Sequence, residues 1–180
     1  MSQNPSSLVR VRAAAGATVG TLAVQDLAFA CALGGAGIVA RKAEGDRATP
    51  EGRFALREVF WRPDRGPAPA TGLPCSPLAP DDGWCDDPAD PAYNRRVRRP
   101  YLGRHEALWR EDGLYDLLAV IGWNDAPPVP HRGSAIFLHV AASGPFGLEP
   151  TAGCVALALA DLRAVLALCA PDTRIDIAPA

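Results

Sequence analysis

Apolar and polar positions along the chain alternate in short runs, and most of those runs have the period of a strand. Leu8-Val9-Arg10-Val11-Arg12 places apolar and charged side chains on opposite faces, the signature of a half-exposed strand. Gly20 to Val24 and Phe29 to Leu33 predict two further short strands, separated by Gln25-Asp26, and Ile38 to Arg41 starts another. Thr49-Pro50-Glu51-Gly52 predicts a turn, because Pro presets one backbone angle and Gly permits an unusual one. Phe54 to Trp61, Leu114 to Gly122, Ser134 to Val140 and Arg174 to Ile177 complete the strands. Helical spacing is clear once, from Ala160-Asp161 to about Cys169, where Leu162, Val165, Leu166 and Leu168 make an apolar stripe that Pro171 ends. Glu106 to Arg110 predicts a second, short helix, with His105 as its cap. Many short strands and few helices give a mainly β fold, a sandwich or barrel-like domain.

Pro63 to Pro100 breaks this rhythm. It is rich in prolines, carries Asp81-Asp82-Gly83 and Asp86-Asp87, and has few apolar pairs. It predicts a long surface excursion within one domain, with Trp84 and Tyr93 as anchors or pocket walls. The organisation expected is a disordered N-terminus at residues 1–7 and a single domain over residues 8–180. A chain of 180 residues that is 48% hydrophobic can bury one good core.

Charge narrows the partners. A net charge of -2 argues against general nucleic-acid binding, which calls for a basic surface. Lys42 is the only lysine among 18 basic residues, and Arg suits planar carboxylates, although abundant Ala, Gly and Pro make a GC-rich genome a sufficient cause. Arg95-Arg96-Val97-Arg98-Arg99 reads as a solvated face before a carboxylate-binding patch. Lys42 and Glu44 read as an ordinary surface pair, and His131 as solvated in a turn. No continuous apolar stretch has the length of a membrane span, and no secretory signal is visible.

Five cysteines occur without a CxxC pair, which argues against a zinc ribbon or thioredoxin-like site. Cys75 and Cys85 either pair in an oxidising compartment or stay as free thiols, while Cys31 and Cys169 sit in apolar runs as packing residues. Cys154 is different. His139 closes an apolar run, a Gly/Pro-bearing loop follows, and Thr151-Ala152-Gly153-Cys154 leads into another apolar run. An imidazole can activate a thiol, and a glycine beside the sulfur lets a carbonyl approach backbone N–H groups that hold its developing charge. The bland alternative is a small buried hydrophobe and an unrelated strand-end histidine. A Walker-type phosphate loop is absent after Gly34-Gly35-Ala36-Gly37, and no Gly-x-Ser-x-Gly elbow exists.

The same residues resemble the signature of the YkuD-type L,D-transpeptidase catalytic domain family: a strand-end His, about fifteen residues, then Ser/Thr-His-Gly-Cys and an apolar residue. His139 and Cys154 stand fifteen positions apart, and Thr151, Gly153, Cys154 and Val155 fit. Upstream, Thr49-Pro50-Glu51-Gly52-Arg53-Phe54 is similar to the family's Thr-Pro-x-Gly-x-Phe hairpin. Two positions depart: Ala152 stands where the family has His, and Ala156 where it has Arg or Asn.

The resemblance implies a mostly β domain whose cysteine attacks a peptidoglycan stem peptide, forms a thioester and passes the acyl group to an amine of a second stem. Cys154 is then the nucleophile and His139 the base. The Val140 carbonyl orients the imidazole, and the N–H groups of Gly153 and Cys154 hold the oxyanion. Trp123, Asn124, Ser134, Arg41 and Thr151 are the candidate substrate contacts. The chemistry needs no metal or organic cofactor. The implied partners are donor and acceptor stems, with carbapenem-type β-lactams as inhibitors, and the implied location is the cell envelope. The cross-link is 3-3 or 1-3 in type. Hydrolysis of the same acyl-enzyme, or a non-catalytic wall-binding module, is the alternative.

Overall fold

The computed structural model describes residues 8–180; the expected disordered N-terminus, residues 1–7, lies outside them. In chain order the strands are β1 (Leu8–Ala13), β2 (Val19–Val24), β3 (Leu27–Ala32), β4 (Ile38–Val39), β5 (Thr49–Pro50), β6 (Gly52–Trp61), β7 (Cys75–Pro77) and β8 (Asp82–Cys85). They continue with β9 (Arg95–Arg98), β10 (His105–Ala107), β11 (Leu117–Ile121), β12 (Phe137–Val140), β13 (Ser143–Gly144), β14 (Gly147–Leu148), β15 (Val155–Leu157) and β16 (Arg174–Pro179). The helix α1 (Leu159–Ala167) precedes β16.

The main sheet runs β11-β12-β15-β3-β2-β1-β16-β6-β7, and β11 also pairs with β6. That last pairing joins the two ends of an eight-strand run into a closed barrel, so the mainly β, barrel-like expectation holds. Closure leaves these strands without an open edge. Inside lie Val9, Val11, Leu22, Val24, Leu56, Leu138, Val155, Ile175 and Ile177, with Leu162, Val165 and Leu166 of α1 packed into the same cluster. The polar alternation of β1 follows: Val9 and Val11 are fully buried, while Arg10 is exposed.

β11 departs from alternation because it is covered on both faces. Leu117, Ala119 and Ile121 belong to the barrel core. Leu118 and Val120 point the other way, into a second cluster with Phe60, Trp84, Leu108, Tyr115, Phe137 and Cys154. A strand buried on both sides must be apolar throughout, and Leu117-Leu118-Ala119-Val120-Ile121 is.

The cover over that outer face is a three-stranded sheet, β10-β8-β9. The long excursion expected over Pro63 to Pro100 carries the three short strands β7, β8 and β9 between irregular stretches. Trp84 packs edge-on against Phe137 with ring centroids 5.1 Å apart, and its indole N–H donates to Asn94 Oδ1 at 3.0 Å. Asp82 is fully buried and accepts from Arg96 at 2.5 and 2.7 Å, with Arg98 at 3.0 Å. Burial acts against its charge, but the Arg96 bonds and the Ala79 N–H hold the carboxyl below its ordinary value. The charged composition that suggested a loop therefore satisfies a small sheet internally.

Two further expectations change. Glu106 to Arg110 is not a helix: His105–Ala107 pairs antiparallel with β8. Five residues cannot repay the cost of helix nucleation, whereas β8 offers ready backbone partners. His105 accordingly caps no helix, and its Nδ1 meets the Gly103 carbonyl at 2.7 Å. Thr49–Pro50 is a short strand rather than the start of a turn, because it pairs in parallel with β4. Cys75 and Cys85 are both free thiols.

Candidate active site

β12 and β15 are adjacent parallel strands in the register Leu138↔Val155 and His139↔Ala156. One step back, Phe137 lies beside Cys154. Side chains two apart on a strand share a face, so His139, Phe137 and Cys154 all project from the outer face of the barrel. With strands about 4.8 Å apart and a rise of about 3.3 Å per residue, the Cα atoms of His139 and Cys154 are roughly 8 Å apart. The connecting loop carries the β13–β14 hairpin and so returns the chain in the parallel sense.

Each side chain is held. His139 Nδ1–H donates to the Val140 carbonyl at 2.8 Å, which leaves Nε2 as the basic nitrogen. The edge of Tyr115 meets the imidazole with centroids 5.3 Å apart. Cys154 Sγ accepts from the Phe137 N–H at 3.3 Å and donates to the Ala135 carbonyl at 3.3 Å. Burial lowers His139 to about 4 and raises Cys154 to about 12, so the pair rests as neutral imidazole and thiol.

The loop before the cysteine is built around Thr151. Its hydroxyl donates to the Cys154 carbonyl at 2.7 Å and accepts from the Gly153 N–H at 3.0 Å. Its backbone bonds Leu33 and Gly35 across an isolated bridge to Gly34. Gly153 has φ +139°, and a Cβ there would lie 2.7 Å from the Ala48 carbonyl oxygen. The glycine is thus required by the backbone as well as by access to the sulfur. Because its N–H is engaged by Thr151, the pair of oxyanion donors expected at Gly153 and Cys154 is not jointly presented in this conformation.

Cys154 opens into a cleft of about 480 Å³ lined by Lys42, Glu44, Arg47, Asp86, Arg104, Glu106, Tyr115, Ser134, Ala152 and their neighbours. Of the five expected substrate contacts, Ser134 lines it. Trp123, Asn124, Arg41 and Thr151 are not among its lining residues. Trp123 packs edge-on against Phe54 and donates to the Arg132 carbonyl, while Asn124 ties Val129 and Gly133 into the turn before β12. Arg41 is exposed on the surface.

Several lining residues had no local signal in the sequence. Lys42 is buried and bonds Asp46 at 2.7 Å, so it forms no surface pair with Glu44. Glu44 instead accepts from the hydroxyls of Tyr93 and Ser134. Glu106 on β10 accepts from the Tyr115 hydroxyl at 2.8 Å, and burial raises its carboxyl to about 7. Among the described residues, no three His, Cys, Asp or Glu side chains gather closely enough to hold a metal ion.

A parallel pair bearing an imidazole and a thiol on one face, its histidine pinned by the next carbonyl, agrees with the family suggested by the sequence. The profile of the YkuD L,D-transpeptidase catalytic domain matches residues 11–177, nearly the whole chain. The protein belongs to the YkuD L,D-transpeptidase catalytic domain family, whose members act on peptidoglycan and are associated with the cell wall. Comparison with curated proteins and with solved structures returns no match. No helix among the described residues is long and apolar enough to cross a membrane.

Proposed function

We propose that this protein is a cysteine-dependent L,D-transpeptidase that cross-links peptidoglycan stems through a thioester on Cys154. The observation that carries the reading is the shared outward face of His139 and Cys154 on adjacent parallel strands, with Nδ1 committed to Val140 and Cys154 open to the cleft.

Both groups start neutral. The Cys154 thiol loses its proton to His139 Nε2 as sulfur attacks the stem carbonyl. The imidazolium then protonates the departing amine. The thiol–imidazole resting state agrees with the burial of both groups. The Cys154 N–H is offered as one oxyanion donor, and the Gly153 N–H joins it if the Thr151 hydroxyl releases it. An amine from a second stem attacks the thioester and completes the cross-link. Lys42, Arg47 and Arg104 give the cleft cationic groups that suit the carboxylates of a donor stem, and Ser134 is retained as a polar contact. The cell envelope is the location this activity requires.

The test is intact-mass analysis after incubation with a carbapenem and, separately, with a defined tetrapeptide muropeptide. One covalent adduct that is lost in Cys154→Ala, together with 3-3 or 1-3 linked product, is expected. An unmodified protein under both conditions, or an adduct retained by the Ala variant, refutes the reading.

A further inference from the structure

Beside Cys154 stands a carboxyl group, Glu106, supplied by β10 from the covering sheet. The Tyr115 hydroxyl donates to its Oε2 at 2.8 Å, and the same Tyr115 ring touches the His139 imidazole. Glu106, Tyr115 and Cys154 therefore share one wall of the cleft. Ala152 lines the same cleft with only a methyl group.

Glu106 is half-buried in the cleft, where withdrawing a carboxyl group from water is costly unless a hydrogen-bonding partner compensates. Glu106 makes its side-chain hydrogen bond to Tyr115 rather than closing an ion pair. Arg110, whose charge acts on it, lies over the Tyr115 ring and is bonded to Asp112. Of the three carboxyl groups that line the cleft, Asp86 is paired with Arg104 and Glu44 accepts from the Tyr93 and Ser134 hydroxyls, while Glu106 faces the side of Cys154 and Tyr115.

We propose that Glu106 receives the acyl acceptor: its carboxylate binds the incoming ammonium group and takes the proton that the amine must lose before it attacks the Cys154 thioester. The inference rests on the transpeptidase reading of the same site. The proton balance is complete. The ammonium transfers one proton to the Glu106 carboxylate, and the neutral amine attacks the thioester carbonyl. Its second proton passes to His139 Nε2. As the C–S bond breaks, the imidazolium returns that proton to sulfur, and Glu106 releases its own to solvent. A carboxyl raised to about 7 is a stronger base than an ordinary glutamate, which suits this exchange. The charged and titratable groups facing Glu106 are Tyr115, Arg110, Asp86 and Glu44, with Arg104, Lys42, Arg47 and Cys154 along the same cleft.

Glu106→Gln keeps the shape and an acceptor for the Tyr115 hydroxyl while removing the charge. The measurement compares two rates in the full chain: acylation of Cys154 by a tetrapeptide muropeptide, and transfer of the acyl group to a diaminopimelate-containing tripeptide. In Glu106→Gln, transfer is expected to fall at least ten-fold more than acylation. The KM for the acceptor should rise, hydrolysed product should increase, and the rise of transfer with pH near 7 should disappear. Glu106→Asp, which retains the charge, should recover part of the transfer. A transfer-to-acylation ratio within two-fold of the parent overturns the inference, as does equal loss of both rates, which marks a structural role. If the unsubstituted protein forms no Cys154 adduct at all, the transpeptidase reading fails and this inference falls with it.

Discussion

His139→Gln gives the sharpest test of how the thiol is activated. In the resting pair, burial holds the Cys154 thiol at about 12 and the imidazole at about 4. At pH 7 only about one thiol in 10⁵ is ionised by itself. An attack that needs preformed thiolate is therefore slow, whereas one in which His139 removes the proton during attack is not. The imidazole is neutral above about pH 4, so the unsubstituted protein should acylate at a nearly constant rate from pH 5 to 9. Gln lacks the basic nitrogen. Its reaction depends on free thiolate, so its rate should rise ten-fold per pH unit over that range. At pH 7 the loss should be about 10²–10⁴-fold, or about 3–5 kcal/mol in the barrier. Stopped-flow absorbance during carbapenem acylation, with intact mass to count adducts, reads both rate and slope. A Gln variant within ten-fold of the parent at pH 7, or one with a flat pH profile, refutes the general-base role of His139.

Gly153→Ala must accept φ +139° and place a Cβ 2.7 Å from the Ala48 oxygen, so urea unfolding should show a loss of about 3 kcal/mol or more; under 1 kcal/mol would show that the loop relaxes freely. Asp82→Ala removes the bidentate partner of Arg96, while Arg98 keeps Asp81, and should cost about 3 kcal/mol in the same assay at pH 7, because the partly buried Arg96 guanidinium loses its carboxylate. An unchanged midpoint would mean that solvent compensates Arg96.

The two chemical groups that define the site were legible because their signals are local. His139 ends an apolar strand, Gly153-Cys154 opens the next, and the fifteen-position interval matches a known motif. The rest of the cleft lining was not legible. Glu106 looked helical, and Lys42 and Glu44 looked like surface charge. Each joins the cleft only when β10 and the loop before β5 are folded over the outer face of β12. Trp123 and Asn124 do not line the cleft. Their closeness in sequence to the histidine strand suggested the cleft, but their polar atoms bond the backbone of their own turn.

The sequence by itself determined the main barrel strands, the helix and the candidate cysteine–histidine pair, since side-chain period and motif spacing are properties of neighbouring residues. Tertiary structure decided the barrel's closure through β11 and β6, and the conversion of a proline-rich stretch into a covering sheet. It also decided the protonation states of His139 and Cys154. Those outcomes depend on burial and on backbone partners distant in the chain, and desolvation is set by what the fold lays over a group rather than by the residues beside it.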